Sequence, residues 1–207
     1  MAKLFKNVWF RCITILLAII LVSGASISIL SDVLYVSPAE RTSRAMTKIY
    51  GVAKVIKDEN VIFDADKTAD KKPLSSTYGT INKIFIVGDK TSDKFDMVYQ
   101  ASGKDGYKGG NITLWIQVVV QNSDYKNAKL NKVVVESYDK QTLMSKFDAM
   151  YYEQFVSLYE SGKLFTAKNE PDKIKNVVTG ATKSSIANCN AVNCVIKHLQ
   201  SYDGGNG

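Results

Sequence analysis

From Cys12 to Leu30 the chain carries 19 consecutive residues without a charge, and no other feature limits its fold so strongly. A helix of that length rises about 28 Å, enough to cross a hydrocarbon core. Lys3, Lys6 and Arg11 precede the run and Asp32 follows it, so the positive-inside bias puts the N-terminus in the cytoplasm and the rest outside. The expectation is a cytoplasmic stub and transmembrane anchor over residues 1–31, in the cell membrane. A cleaved signal peptide is the other reading, because Ser23-Gly24-Ala25 resembles a small-residue cleavage site. Cys12 opens the apolar run rather than following it, the wrong side for a lipoprotein-type attachment.

The remaining length suits one extracytoplasmic domain, residues 32–201, followed by a disordered tail over 202–207. Setting aside the three basic residues before the anchor leaves 24 basic against 20 acidic side chains. That balance is too mild for a nucleic-acid surface, and Arg11, Arg41 and Arg44 are the only arginines. No nucleic-acid partner is expected.

Ser37-Pro38-Ala39-Glu40 combines an N-cap serine, a proline at the first helical position and a capping-box glutamate, predicting a helix that ends at Tyr50 before Gly51. Met46, Ile49 and Tyr50 form its inward side. Residues 57–78 are rich in Lys, Asp, Ser and Thr and read as a solvated excursion with a short strand at Val61-Ile62-Phe63. Strands follow over 80–87, 95–101, 112–120 and 129–136, separated by turn-rich stretches, as an antiparallel meander. In the third, Ile112, Leu114, Ile116, Val118 and Val120 share one face. Phe147, Tyr151, Phe155 and Leu158 recur at helical spacing and would cover that face. A last helix beginning near Lys183 carries Ile186, Cys189, Val192, Ile196 and Leu199 as its buried stripe. The fold class is α+β: one N-terminal transmembrane helix, then an antiparallel sheet packed with helices.

The chemistry concentrates in Val177-Val178-Thr179-Gly180-Ala181-Thr182-Lys183-Ser184-Ser185. Small residues feed directly into a helix, the geometry that presents free backbone N–H groups and a favourable dipole to an anion such as a phosphate. Gly180 and Ala181 permit close approach, and the Thr182 hydroxyl is placed to hold or be joined to that phosphate. The plain alternative is a threonine that only caps the helix.

Thr179-Gly180-Ala181-Thr182, with Lys183-Ser184-Ser185 and the Ala- and Asn-rich helix to Leu199, resembles the signature of the FMN-binding domain family. That family includes the G subunit of Rnf-type ion-translocating complexes and the C subunit of sodium-pumping quinone reductases. The resemblance runs from the anchor to about Gln200 and takes in Gly106-Tyr107-Lys108-Gly109-Gly110. It implies an FMN-binding domain whose FMN is esterified through its phosphate to Thr182, with Thr179, Gly180, Ala181, Lys183 and Ser184 around the attachment. Thr142 and Tyr138 are implied beside the flavin ring. The short chain with one anchor is most like the Rnf G subunit, which implies an electron relay in a ferredoxin:NAD oxidoreductase complex, other membrane subunits as partners and a flavin transferase during maturation. A stand-alone extracellular flavinylated carrier and a non-redox module that has lost flavin are the alternatives. The chain departs from the family at two places. Asn176 stands where the family has an acidic residue six positions before the acceptor, and Gln141-Thr142-Leu143-Met144 replaces the ring-contacting Glu-Thr-Pro-Gly-Leu-Gly loop.

Other constellations fail. Cys189 and Cys194 lie about 140° apart around a helix, too divergent for an easy disulfide. His198 is the one histidine; with Cys194 it makes two ligands, short of a zinc site. Asn111-Ile112-Thr113 matches only a short glycosylation pattern, and no Gly-rich dinucleotide fingerprint or Walker-type loop is present. No catalytic residue and no metal ligand is assigned.

Overall fold

The computed structural model describes residues 8–34, 36–54 and 56–204. The chain divides into two compact units, Met1–Thr42 and Ser43–Gly207. In the first, helix α1 (Val8–Leu34) contains Cys12–Leu30, apolar and long enough to cross a membrane. Its side chains from Cys12 to Leu30 are exposed in the protein alone. Lys3 and Lys6, on which the cytoplasmic stub was argued, lie outside the described residues. The next helix, α2 (Pro38–Tyr50), starts where the capping signals place it: Ser37 Oγ accepts a hydrogen bond from the Glu40 N–H at 3.1 Å. Gly51 stops it with a φ of +75°, a conformation favouring glycine.

The second unit is built on a sheet with strand order β1 (Val61–Asp64), β3, β4, β5 and β6. Strands β3 (Gly79–Val87), β4 (Lys94–Gly103), β5 (Ile112–Gln121) and β6 (Asp124–Tyr138) form the expected antiparallel meander. β6 starts earlier than its sequence pattern suggests, because Asn122 and Ser123 both take positive φ (51° and 55°) and close a tight hairpin. As an edge strand, β6 exposes Lys126, Lys129 and Lys132, charges that discourage pairing with another chain.

The excursion over 57–78 is more ordered than its composition implies. β1 (Val61–Asp64) and β2 (Leu74–Ser76) both pair with the outer edge of β3. Lys83 of β3 binds Asp64 Oδ1 at 2.9 Å and Asp66 Oδ2 at 2.7 Å, with only a tenth of its side chain exposed. Charges that read as solvated in sequence are therefore partly structural.

Both faces of the sheet are covered. On one, Phe85, Val98 and Trp115 enclose Ala45, Met46 and Ile49 of α2. Trp115 stacks on Phe85 with ring centroids 6.0 Å apart. Gln117 is buried as well, donating to Asp96 Oδ2 at 2.7 Å beside the Tyr50 hydroxyl, which donates to the same oxygen at 2.8 Å. The alternate positions of β5 are thus a second, smaller core. On the other face lie α3 (Ala149–Ser157) and α4 (Thr182–Ser201). Asp148 caps α3 by accepting from the Tyr151 N–H at 2.9 Å, which leaves Phe147 before the helix. Leu158 caps its end, 44% exposed, and so is not part of the covering face.

α4 is not amphipathic in the expected manner. Apolar and polar residues alike are buried around nearly its whole circumference, while Ile186 is only half-buried. Its asparagines bind three neighbours: Asn188 accepts from the Tyr152 hydroxyl at 3.4 Å, Asn190 donates to the Lys104 carbonyl at 2.9 Å, and Asn193 both accepts from and donates to the Phe165 backbone at 2.8 and 2.9 Å. Phe165 belongs to β7 (Phe165–Thr166), which pairs in parallel with β8 (Ile174–Lys175). Tyr202, first residue of the expected tail, packs edge-on against Tyr125 at 4.8 Å; residues 205–207 lie outside the described residues.

The helix crosses the sheet at Gly103. A Cβ there would lie 2.0 Å from the Ala187 carbonyl oxygen and 2.3 Å from the Ala191 nitrogen. Both are backbone atoms that no rotamer change can clear. Gly103→Ala is expected to destabilise the domain by about 3 kcal/mol or more, at or above the upper end for overpacking. Urea unfolding followed by far-UV circular dichroism measures it, and a loss under about 1 kcal/mol would mean that the helix can shift.

Candidate functional site

β8 delivers the chain to Asn176, and a turn over 177–181 then leads into α4, of which Thr182 is the first residue. Gly180 has a φ of +78°, and in the space of its absent Cβ the nearest atom is Lys146 Nζ at 3.3 Å. Ala181 is the N-cap and supplies no side-chain hydrogen bond. Thr182 is therefore not the cap: its side chain is exposed, as are those of Thr179 and Lys183. The helix start is left to its own backbone donors and dipole, an arrangement suited to an anion.

Two adjacent serines hold this turn from beneath. The fully buried Ser185 hydroxyl accepts from the Val178 N–H at 2.9 Å and donates to the Ala181 carbonyl at 3.2 Å. The Ser184 hydroxyl, also buried, donates to Gln141 Oε1 at 2.8 Å. Gln141 in turn accepts from the Tyr107 N–H at 3.0 Å and donates to the Asp139 carbonyl at 2.6 Å. One buried amide thus joins the Gly106–Gly110 loop, the end of β6 and the first turn of α4. Thr142 follows Gln141 directly and Tyr138 precedes Asp139; both are exposed, Tyr138 by 54%. The residues expected around the attachment and those expected beside a ring are brought to one region by Gln141, Ser185 and Lys146. None of these three was singled out from sequence as a binding residue. Their signal, a glutamine or serine hydrogen-bonding across 43 or 7 residues, does not show in a local pattern.

On the Lys183 side of the helix lies a polar cavity of about 430 Å³, walled by Lys183, Ile186 and Asn190 of α4 and by Thr166, Lys168 and Tyr78. Thr182 stands one turn before Ile186 and so on the same side of the helix.

Asn176 is 1% exposed, and neither atom of its amide has a hydrogen-bond partner among the described residues. Its backbone is well held: its N–H donates to the Thr166 carbonyl at 2.9 Å, and its carbonyl accepts from Cys189 Sγ at 3.4 Å. Cys194 instead meets Ser76 Oγ at 3.1 Å, so the two thiols face different neighbours. Burial pushes them up to about 12 for Cys189 and about 11 for Cys194, which keeps both protonated and unreactive at neutral pH. His198 meets the Tyr99 hydroxyl at 3.3 Å and stacks on Tyr202 at 5.1 Å. No cluster of three metal-ligating side chains occurs among the described residues.

Compared with protein-family models, with curated proteins and with solved structures, the chain matches none.

Two outcomes follow from the buried polar groups. Asn176→Leu, which keeps the branched skeleton but is larger, removes an unsatisfied amide and is expected to raise stability by up to about 1–3 kcal/mol in urea titrations; a loss of similar size would show that the amide is satisfied in solution or that the larger side chain overpacks the site. Burial lowers the pKa of His198. The folded chain therefore resists a proton that the unfolded chain accepts, and stability falls as pH drops from about 7 to about 5. His198→Gln is expected to flatten that part of the curve of thermal midpoint against pH, and an unchanged slope would assign it to carboxylates.

Proposed function

We propose that this chain is a membrane-anchored flavoprotein subunit that relays electrons through FMN, joined to Thr182 by a phosphoester, within an Rnf-type ion-translocating ferredoxin:NAD oxidoreductase complex. The observation that carries the reading is the exposed Thr182 hydroxyl on the first residue of α4, beyond a turn containing a left-handed Gly180 and a helix start with no side-chain cap. These residues fit a phosphate. The backbone donors at the start of α4 and the ammonium groups of Lys183 and Lys146 would hold it, the dipole adding to the attraction. Thr142 and Tyr138 are the proposed ring neighbours, since a hydroxyl and a phenol can tune a flavin by hydrogen bonding and stacking.

When bound, the flavin supplies the electron-accepting and electron-donating chemistry. The protein's part is to fix it, exclude loss outside the cell and present it to partner subunits. No side chain in this reading acts as an acid or base. The single anchor of α1 keeps such a carrier at a membrane, with the domain on the extracytoplasmic side in the proposed orientation.

A specific observation favours a second reading, a non-redox module that has lost flavin. The position where related domains carry an acidic residue is here an asparagine enclosed in the core, out of reach of any maturing enzyme in the folded state.

Co-expression with a flavin transferase separates the two. Wild-type protein is expected to retain yellow in-gel fluorescence after denaturation and to gain one FMN by intact mass, and Thr182→Ala to lose both completely. Wild type without covalent flavin, beside a control protein that acquires it, would favour the non-redox module.

A further inference from the structure

A buried hydroxyl closes the turn that presents Thr182. Ser185 Oγ accepts from the Val178 N–H at 2.9 Å and donates to the Ala181 carbonyl at 3.2 Å, so it binds both ends of the segment Thr179-Gly180. The backbone reinforces the same loop: the Ala181 N–H donates to the Val178 carbonyl at 3.0 Å and the Ser185 N–H to the Ala181 carbonyl at 2.9 Å. All four interactions converge on Val178, Ala181 and Ser185, and none involves Thr182. Ser185 is completely buried whereas Thr179, Gly180 and Thr182 are exposed. The arrangement is a rigid base with an accessible apex.

We propose that Ser185 is a positioning residue for modification of Thr182, holding the turn so that the threonine hydroxyl meets an activated phosphate in the attacking orientation. This inference rests on the proposed flavin attachment. The reaction needs FMN activated as a phosphoanhydride, as in a flavin dinucleotide. The Thr182 Oγ bonds to the flavin-side phosphorus, the anhydride bond breaks, adenosine monophosphate leaves, and the hydroxyl proton passes to a base of the transferase. No oxidant or reductant is consumed. Ser185 touches neither reactant. Its effect is entropic: a turn already closed at both ends presents one hydroxyl geometry, where an open turn samples many.

A plain packing role for Ser185 predicts lost stability and nothing else. A positioning role predicts slower modification of a protein that is still folded, with recognition by the transferase preserved. The test uses the full chain with purified flavin transferase, flavin adenine dinucleotide and magnesium, comparing wild type, Ser185→Ala and the nearly isosteric Ser185→Cys. Amide hydrogen exchange monitors Val178 and, as a fold control, the central strand β5. The expected result is faster exchange at Val178 with β5 unchanged, and a maximal rate of covalent flavin incorporation lowered about tenfold or more at similar half-saturation. Ser185→Cys, with a weaker hydrogen-bonding group, should fall between; it also serves as the test if Ser185→Ala fails to fold. Wild-type incorporation rates in a variant whose Val178 amide has lost protection would overturn the inference while leaving flavin attachment intact. Absence of incorporation in wild type, with an active transferase control, would overturn both.

Discussion

α4 and the sheet meet backbone to backbone at Gly103, with no room for a single added methyl group. Much else follows from that contact. A helix seated so deeply cannot keep a polar side toward water, so its asparagines must find partners inside, and they do so on α3, on the segment after β4 and on β7. Each of these bonds replaces one to water and leaves little net energy, but a missing partner would cost about 1–3 kcal/mol. The asparagines therefore specify where the surrounding segments sit more than they add stability.

The same seating makes one end of α4 useful. Its body is enclosed, while Thr182 and Lys183 at its start are exposed. The side chains that organise this start, Ser184 and Ser185, are buried: Ser185 closes the turn, and Ser184 connects the helix through Gln141 to the loop after β4 and the end of β6. An exposed hydroxyl on a constrained backbone, beside uncapped donors, differs from an ordinary helix beginning, where the N-cap side chain accepts from the first-turn N–H groups. Asn176 is the unresolved element of this region: a buried amide without a partner among the described residues, a few residues from the turn. It follows β8, its N–H extending the ladder to β7, so it sits in the core rather than at the exposed apex.

How much of this was legible in the sequence depends on the range of the interaction. The capping signals of α2, the meander of β3 to β6 and the apolar alternation of β5 are local patterns, and the structure has each. The burial of Trp115 and Gln117 was missed because α2, some 65 or more residues earlier in the chain, covers a face that alternation alone marks as polar. The ordering of residues 57–78 was missed for a similar reason, since Lys83 is 17 residues from the Asp66 that neutralises it. The stripe drawn along the last helix was too narrow because periodicity measures apolar residues and is blind to buried asparagines.

The sequence by itself determined an apolar helix able to span a membrane, an α+β domain with an antiparallel sheet, and a Thr-Gly-Ala-Thr turn opening on a final helix. These rest on spacing and on backbone preferences that act within a few residues. Only the tertiary structure decided that Thr182 stays exposed while Ser184 and Ser185 are buried, and that Gln141 joins three segments at one helix start. Those outcomes depend on which surfaces the sheet, α3 and α4 occupy together, and burial is a property of that assembly rather than of any residue in it.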